Sequence, residues 1–346
     1  MKTKVETPLR FPTSGGRTIY AFCLEIFPGF FGNVYLIDDG TRRILVDTGS
    51  WFEGSNRGLV EGLASLEDAF GVRVGLEQVD CVLITHAHMD HFGGLSYVRE
   101  HTRAPVGIHP LDRRVLSHYE ERVVVASKQL RFFLTRAGLS EQSVSGLMQM
   151  YLAPKQRFGS LPVDFLLEGG TVAHAPLAGG ETSLEIEVFH VPGHCPGQVC
   201  LRVDDVLLSA DHVLSRTTPH QSPESITLNM GLGHYLASLQ SIRGLDVRLA
   251  LGGHEEAIAN LDGRIEEIRQ AHDRRLDQVL RECEEPRTTA EISRALFGTV
   301  HGYNVLLAIE EAGAHVEYLY HLGELVAANL DEIQDERDPI LRYLRV

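Results

Sequence analysis

The sequence predicts an α/β protein, and three observations lead to this class. Short apolar runs of strand length alternate with longer segments in which Leu and Phe recur at helical spacing. Pro-Gly, Asp-Gly and Gly-Gly turns separate these segments. Several of the apolar runs end in a loop that carries His or Asp. Because strand ends hold such side chains on a rigid edge, these loops are the candidates for a functional site.

Length and composition are those expected of a soluble globular protein. The 346 residues allow one large domain and a smaller one, with 43% hydrophobic and 23% charged residues. The 32 Lys and Arg against 47 Asp and Glu give a net charge of −15, which disfavours nucleic acid as a partner. The five scattered cysteines argue against a disulfide framework. No signal sequence or membrane span is evident, so we expect a cytoplasmic protein without membrane contact.

The first part of the chain predicts a β-meander followed by a helix. Strands are predicted at 18–24, 33–37 and 43–46, and a helix over 57–70. The third strand ends at Asp47, a carboxylate that either supports a site or caps the next helix. The apolar run 79–84 then predicts a buried strand.

A cluster of metal-binding residue types follows this strand directly. His86, His88, Asp90 and His91 lie within six positions, before Gly93 and Gly94. Imidazole and carboxylate groups suit a divalent transition metal such as zinc. Because the cluster supplies more ligand groups than one open catalytic metal site requires, two adjacent metal ions are predicted. Further candidate ligands follow later strands: His194, Asp211 and His254.

Residues 111–160 differ from the rest of the chain. Few Gly or Pro residues interrupt them, so two or three helices are predicted. Eight Lys and Arg against four Asp and Glu give the segment a charge of +4. One interpretation is an amphipathic hairpin with a solvated face. The other is a cap that covers the site and binds an anionic, partly apolar substrate. The second interpretation assigns substrate contacts to Arg113, Arg114, Phe132, Phe133, Met148 and Met150.

The composition changes again near residue 273, which predicts a main domain over 1–272 and a C-terminal domain over 273–346. A charged helix is predicted at 263–283, an N-capped helix ending at Phe297, and further helix that includes 319–327. The C-terminal domain has eight Arg and no Lys against fifteen Asp and Glu, or −7. This charge favours a packing or dimer-forming module over nucleic-acid binding.

Taken together, the strand-end motifs resemble those of the metallo-β-lactamase superfamily. The resemblance extends over about residues 17–270 and implies an αββα sandwich with metal ions at one edge of two sheets. The C-terminal domain resembles the small winged-helix-like tail of some members, including a lactamase-like endoribonuclease of mitochondria. The motifs are Val-Asp-Thr-Gly at 46–49, Thr-His-Ala-His-Met-Asp-His at 85–91, Pro-Gly-His at 192–194, Ala-Asp-His at 210–212 and Gly-Gly-His at 252–254.

The resemblance also implies a role for each candidate residue. One zinc ion would take His86, His88 and His194, and a second would take Asp90, His91 and His254. Asp211 would bridge both ions together with a water or hydroxide, and Asp47 would orient ligands. Asp90 would also accept the proton released on attack. Iron or manganese are alternatives to zinc.

Two positions depart from the pattern of the family. Cys195 stands where Ser or Thr is more usual, either as a small replacement or as a soft contact near a metal. Gly252-Gly253 stands where Pro-Gly is usual, which loosens the loop but keeps His254 in place.

The activity implied by the resemblance is that of a binuclear zinc hydrolase acting on a carbonyl substrate. We expect a thioester of the acyl-coenzyme A or hydroxyacylglutathione type, or another small ester or lactone. Alternatives are an endoribonuclease, an iron-dependent sulfur dioxygenase and a non-catalytic scaffold. A nuclease should show a continuous basic face outside residues 111–160, and metal analysis identifies the dioxygenase. The expected partners are a small anionic substrate and a second copy of the chain in a homodimer.

Overall fold

The computed structural model describes residues 7–170, 172–174, 185–335 and 338–346. Residues 1–6, on which the expected location partly depends, lie outside this range. The strands are β1 (Leu9–Pro12), β2 (Thr18–Phe27), β3 (Phe30–Asp38), β4 (Arg43–Val46), β5 (Cys81–Leu83), β6 (Val106–Ile108), β7 (Phe165–Leu166), β8 (Val172–His174), β9 (Glu185–His190), β10 (Val199–Val203), β11 (Val206–Ala210), β12 (Leu249–Gly252), β13 (Arg287–Thr288), β14 (Leu325–Ala327) and β15 (Arg342–Arg345). The helices are α1 (Glu53–Phe70), α2 (Leu95–His101), α3 (Pro110–Ser117), α4 (Tyr119–Arg136), α5 (Glu141–Lys155), α6 (Leu232–Ser241), α7 (Leu261–Glu282), α8 (Thr289–Phe297), α9 (Asn304–His321) and α10 (Leu330–Asp335).

Within the described ranges, the strands form two larger sheets and a small one. The first sheet has the order β1-β2-β3-β4-β5-β6-β7, antiparallel up to β4 and parallel from β4 onward. The second has the order β12-β11-β10-β9-β8, in which only β12 and β11 run parallel. The third, β13-β15-β14, is antiparallel and belongs to the C-terminal part of the chain.

The two larger sheets pack face to face with helices on both outer faces. Between them, Ile37 and Leu83 of the first sheet share a buried cluster with Val188 and Leu208 of the second. Helices α1 and α2 cover the outer face of the first sheet, and α6 and α7 that of the second. Each fully buried Leu or Ile in these layers contributes about 1.5–3 kcal/mol to stability. The predicted αββα sandwich is therefore confirmed. As far as the chain is described, its helices lack the length and apolarity needed to cross a membrane.

The segment 111–160 is helical, as predicted, and its helices pack against the C-terminal region. Helix α3 begins with Pro110 after the N-cap His109, and α5 begins after the N-cap Ser140, whose hydroxyl accepts from Ser143 N. Leu134 of α4 and Leu147 of α5 share a buried cluster with Ile309 of α9.

The C-terminal region combines helices with the small sheet. Thr288 caps α8 through a capping box with Glu291, as its sequence predicts. The predicted helix over 319–327 is confirmed only for residues 319–321: α9 ends at His321, Gly323 adopts a φ of +79°, and β14 follows. The predicted domain boundary after residue 272 lies within α7, which is one continuous helix. The winged-helix-like character of the region stays a prediction.

Candidate metal centre

The seven predicted ligands lie at one edge of the two larger sheets, where strands of both end. Residues 85–94 follow β5 of the first sheet, whereas His194, Asp211 and His254 follow β9, β11 and β12 of the second. Glycine is required in the first of these loops because other backbone atoms approach closely. A Cβ atom at Gly93 would overlap the carbonyl oxygen of Met89, and one at Gly94 that of Thr48.

The structure brings the seven side chains together as two groups. The first is His86, His88 and His194, and the second is Asp90, His91, Asp211 and His254. Within each group, one potential ligand atom per residue lies within 4.8 Å of the others. Oδ2 of Asp211 also spans the two groups, because it lies 3.7 Å from Nε2 of His194 and 3.4 Å from Nε2 of both His91 and His254.

In three of the histidines, a hydrogen bond to one ring nitrogen fixes which nitrogen faces the centre. Nδ1 of His91 donates to Oδ2 of Asp47 at 2.8 Å, and Nδ1 of His254 donates to the carbonyl oxygen of Phe31 at 2.7 Å. Nδ1 of His194 donates to the carbonyl oxygen of His220 at 2.7 Å. In all three residues Nε2 is therefore left to face the neighbouring ligands.

Asp47 lies beneath the metal-binding segment, where it accepts several hydrogen bonds. Besides His91, it accepts the backbone N–H of Thr85 and the Thr85 hydroxyl, each at 2.8 Å. Its φ of +63° is a left-handed conformation that few non-glycine residues adopt. Asp47 thus holds both ends of the segment 85–91, which is the location expected of a residue that orients ligands.

The two groups differ in the pKa values of their histidines, which are lowered for His86 and His88 of the first group and raised for His254 of the second. Burial, together with the neighbouring imidazoles, lowers the pKa of His88 to about 3 and that of His86 well below its usual value. Burial also lowers the pKa of His254, but Asp211 and Asp90 raise it more strongly, to about 10. Burial opposes ionisation of Asp211, yet His254 and His91 hold its pKa well below the usual range. A divalent ion would replace protons in the second group and bind neutral imidazoles in the first.

Unpaired atoms provide a test of whether these residues fit metal ions. Among the described residues, Nε2 of His91, Nε2 of His194 and Oδ1 of Asp211 are buried without a hydrogen-bond partner. Buried polar atoms without a partner are costly, and all three belong to ligand types that suit divalent transition metals. The donor set therefore fits divalent metal ions.

A further residue of the site, Asp112, was not recognised in the sequence. This buried carboxylate accepts the backbone N–H groups of Ala87 and Gly197, each at 2.8 Å, and the thiol of Cys195 at 3.2 Å. It therefore joins the loop of His86 and His88 to the loop of His194. Cys195 contacts this carboxylate rather than the grouped ligands, as a small hydrogen-bonding replacement would. Only an aspartate at the N-terminal end of a helix after a strand could have signalled this role.

Five of the candidate ligands, together with part of the segment 111–160, line a cavity of about 1600 Å³. Arg114, Arg122 and Lys155 are among the residues that line it, together with Tyr303 at the start of α9. Arg113, in contrast, lies on the exposed surface of α3, outside the described cavity lining.

The apolar contacts predicted for the substrate are wrong. Met148 is buried in a cluster that includes residues of α9, and the half-buried Phe133 packs against the same cluster. Phe132 and Met150 are exposed, and none of the four belongs to the described residues that line the cavity. Helical spacing alone does not reveal which face of α4 and α5 points toward the metal centre.

Comparisons with known proteins agree with this architecture. The profile described as "Metallo-beta-lactamase superfamily" matches residues 27–254. The chain is 25% identical over 299 residues to the probable metallo-hydrolase YqjP of Bacillus subtilis (strain 168), and the match covers 83% of this chain and 86% of that protein. It is 24% identical over 281 residues to an atrochrysone carboxyl ACP thioesterase of Aspergillus fumigatus, and that match covers 77% of this chain and 68% of the thioesterase.

A solved structure extends the similarity beyond the matched profile. The metallo-beta-lactamase family protein TTHA1429 of Thermus thermophilus superposes with a TM-score of 0.76 at 25% identity. The superposition covers 95% of this chain and 98% of the other, so it includes the C-terminal region as well as the sandwich. The strand-end motifs, the two groups of ligands and the profile over residues 27–254 agree with one another. The chain therefore belongs to the metallo-beta-lactamase superfamily.

Proposed function

We propose that the chain is a hydrolase that binds two divalent metal ions, zinc by default, and cleaves a thioester or related ester with a large apolar acyl part. The observation that carries this proposal is the grouping of seven candidate ligands beside one large cavity, whose lining includes five of them. One ion would bind to His86, His88 and His194, and the other to Asp90, His91 and His254, with Asp211 shared. Bound ions would supply Lewis acidity toward a substrate carbonyl and a water molecule.

The protein contributes a proton acceptor and an ordered ligand set. Asp90 lines the cavity, and its carboxylate lies 3.4 Å from Nε2 of His254. Although burial favours its neutral form, His91 and His254 keep its pKa below the usual range, so the carboxylate is ionised. Because this carboxylate lines the cavity beside the other candidate ligands, we assign to Asp90 the role of accepting the proton released when water attacks the substrate. Asp47 and Asp112 hold the loops that carry the ligands.

The size and lining of the cavity support a large, partly apolar substrate. Its volume of about 1600 Å³ exceeds the ~300–1,000 Å³ of typical small-molecule pockets. Seven of the exposed large hydrophobic side chains belong to the described lining. They are Leu9, Phe30, Phe31, Leu111, Val125, Leu228 and Tyr303. Because such a concentration of exposed apolar surface marks a binding site, we infer that it contacts an acyl group.

Two cationic side chains in the cavity support the inference that the same substrate also carries an anionic group. Within the described chain, Arg122 and Lys155 line the cavity without an ion-pair partner, whereas Arg114 pairs with Glu121 and Arg216 with Glu256. Burial lowers the pKa of Lys155 to about 8, against the influence of Glu310 and Asp90. Lys155 lines the same cavity as the candidate ligands His88 and Asp90.

An endoribonuclease is less well supported. The cavity is also lined by Glu224, Glu255, Glu256 and Glu310, whose carboxylates would repel a polyanionic chain. A substrate with one anionic group near Lys155 and an apolar remainder fits the distribution of charge better. Similarity to a relative named as a thioesterase supports the choice of a thioester among carbonyl substrates.

The test is a hydrolysis screen with protein of measured metal content. Acyl thioesters of increasing chain length, lactones, a phosphodiester and a β-lactam are compared at equal concentration. We expect about two metal ions per chain and the highest kcat/KM for a long-chain thioester. Preferential cleavage of the phosphodiester would favour the nuclease, and a reproducible single iron with no hydrolysis would favour the sulfur dioxygenase. No turnover of any substrate by the metal-loaded protein would refute the proposed function.

A further inference from the structure

Helix α9 of the C-terminal region reaches the metal centre through the loop of residues 216–225. The carbonyl oxygen of His220 in this loop accepts the Nδ1–H of His194 at 2.7 Å. The position of the loop therefore fixes the ring of His194, a candidate ligand of the first metal group.

Glu311 of α9 holds this part of the loop. Its Oε2 atom accepts the backbone N–H of Gln221 at 2.7 Å and lies 3.4 Å from Nδ1 of the His220 ring. Its Oε1 atom accepts from Arg275 of α7 at 3.2 Å. Glu311 is 7% exposed, so these are buried, charge-assisted contacts. A carboxylate thus binds the residues on both sides of the peptide bond whose carbonyl oxygen orients His194.

Other contacts prevent the loop from moving away from α9. Oε2 of Glu310 lies 3.2 Å from Nε2 of His220. Pro223 packs so closely on Gly313 that a Cβ atom there would lie 2.8 Å from its Cγ. Arg275 also donates to the Thr218 hydroxyl at 3.0 Å, which joins the loop to α7.

His272, Glu311 and His315 could in principle form a metal site of their own, since their donor atoms lie within 4.8 Å of one another. Most of their polar atoms are, however, already paired, and of these atoms only Nε2 of His272 is left without a partner among the described residues. Nδ1 of His272 and Nε2 of His315 share a hydrogen bond of 3.0 Å, and Nδ1 of His315 donates to the carbonyl oxygen of Glu311. The guanidinium group beside Glu311 would also repel a further cation. The three residues are therefore better explained as part of the support for the loop.

We propose that Glu311 is a positioning residue for His194, so that the C-terminal region is an integral part of the metal centre. This role rests on the proposed function, because it requires that His194 bind a metal ion. The substitution Glu311→Gln keeps the shape of the side chain but removes its charge. It should weaken the binding of one metal ion by about 10–100-fold, the usual effect of changing a group that orients a ligand. The second ion should bind as in the wild type.

The experiment is a zinc titration of metal-free full-length protein in competition with a chromophoric chelator, which resolves two binding steps. The gain in Tm on zinc addition is measured in parallel. Glu317→Gln is the matched control, because Glu317 lies on α9 and contacts Ser225 of the same loop, but is only half-buried and forms its loop contacts with Ser225 rather than with His220 or Gln221. The control should retain both affinities. His220→Ala, which keeps the carbonyl group but removes the ring, should weaken the same step as Glu311→Gln.

Each outcome decides the proposal. Loss of one step in Glu311→Gln and His220→Ala, with Glu317→Gln unchanged, supports it. If Glu311→Gln does not fold, the His220→Ala titration decides alone. A lower Tm of the metal-free variants with both zinc affinities unchanged would show a purely structural role and overturn it. If the wild-type chain takes up no zinc, the proposed function fails as well, whereas two tight sites in every variant contradict only the role of Glu311.

Discussion

Asp211 is the residue that joins the two groups of candidate ligands. Its Oδ2 atom is close to Nε2 of His194, His91 and His254, and its Oδ1 atom is buried without a partner among the described residues. We therefore expect Asp211→Ala and His88→Ala each to reduce turnover by more than about 100-fold, beyond the usual effect of changing a group that only orients a ligand. Circular dichroism should show a folded chain, because both residues lie in loops. Full activity of either variant after metal removal and reconstitution would refute the ligand assignment.

Asp112 provides a test of loop support that does not involve a ligand. Asp112→Ala leaves the buried N–H groups of Ala87 and Gly197 without an acceptor. Each unpaired group costs about 1–3 kcal/mol, so the free energy of unfolding should fall by about 2–6 kcal/mol. Denaturant titration of the metal-free protein measures this change. Cys195→Ser is the control, because a hydroxyl can also donate to Asp112, and it should change stability by less than about 1 kcal/mol.

Residue roles were predictable from the sequence only where the chemistry is local. His86, His88, Asp90 and His91 stand together in six positions, and His194, Asp211 and His254 each follow a strand. The role of Asp112 could not be predicted because its partners Cys195 and Gly197 lie more than 80 residues away in the sequence. The role of Glu311 could not be predicted for the same reason, since it contacts Gln221 at a separation of 90 residues.

Among the elements, helix α5 supplies Lys155, a cation that lines the cavity together with several of the candidate ligands. Burial lowers the pKa of Lys155 to about 8, so its ammonium group is charged at pH 7 and becomes neutral as the pH rises through 8. For an anionic thioester, KM should therefore rise by about tenfold between pH 7 and pH 9, which corresponds to the loss of one charge-assisted contact. KM for a neutral ester of the same chain length should stay nearly constant.

The substitution Lys155→Met isolates this effect. The variant should show the high KM for the anionic thioester already at pH 7, and no further rise to pH 9. Arg113→Met serves as the control, since Arg113 lies outside the described cavity lining. An equal rise in KM for anionic and neutral substrates, or an unchanged pH profile in Lys155→Met, would show that α5 does not bind the anionic group.

Elements were predictable where their ends carry clear signals. The capping box of Thr288 and Glu291 marks the start of α8, and the turn at Pro28-Gly29 separates β2 from β3. The predicted helix over 319–327 fails at its C-terminal end because Leu325 and Val326 are suited to helix as well as to strand. Their pairing with β15 decides the outcome, and this contact cannot be read from the local sequence.

At the scale of the whole molecule, metal ions would join the two larger sheets. The first group of ligands combines residues after β5 with His194 after β9, and the second combines Asp90 and His91 with residues after β11 and β12. Because the unfolded chain lacks this arrangement, each ion should stabilise the fold by about 2.7 kcal/mol at 100 times its Kd. Removal of metal by a chelator should therefore lower Tm, and zinc should restore it. A Tm that is unaffected by metal would contradict a site shared between the sheets.

The αββα sandwich could be predicted because its family motifs occur in order along the chain. The position of residues 111–160 could not, because it depends on packing between α4, α5 and α9. The cytoplasmic location and the homodimer stay predictions, and gel filtration of the metal-loaded protein would examine the latter.

Helix α7 belongs to two hydrophobic clusters at once. Ile265 and Ile268 pack with α6 against the second sheet, whereas Val279 packs with Ile292 of α8 and Val316 of α9. Local opening of one cluster therefore disturbs the other, and we expect the sandwich and the C-terminal region to unfold cooperatively. A shortened relative that ended in the middle of this helix would lose the cavity wall at Tyr303 as well as its tail. In evolution, the two parts would thus change together rather than be exchanged as independent modules.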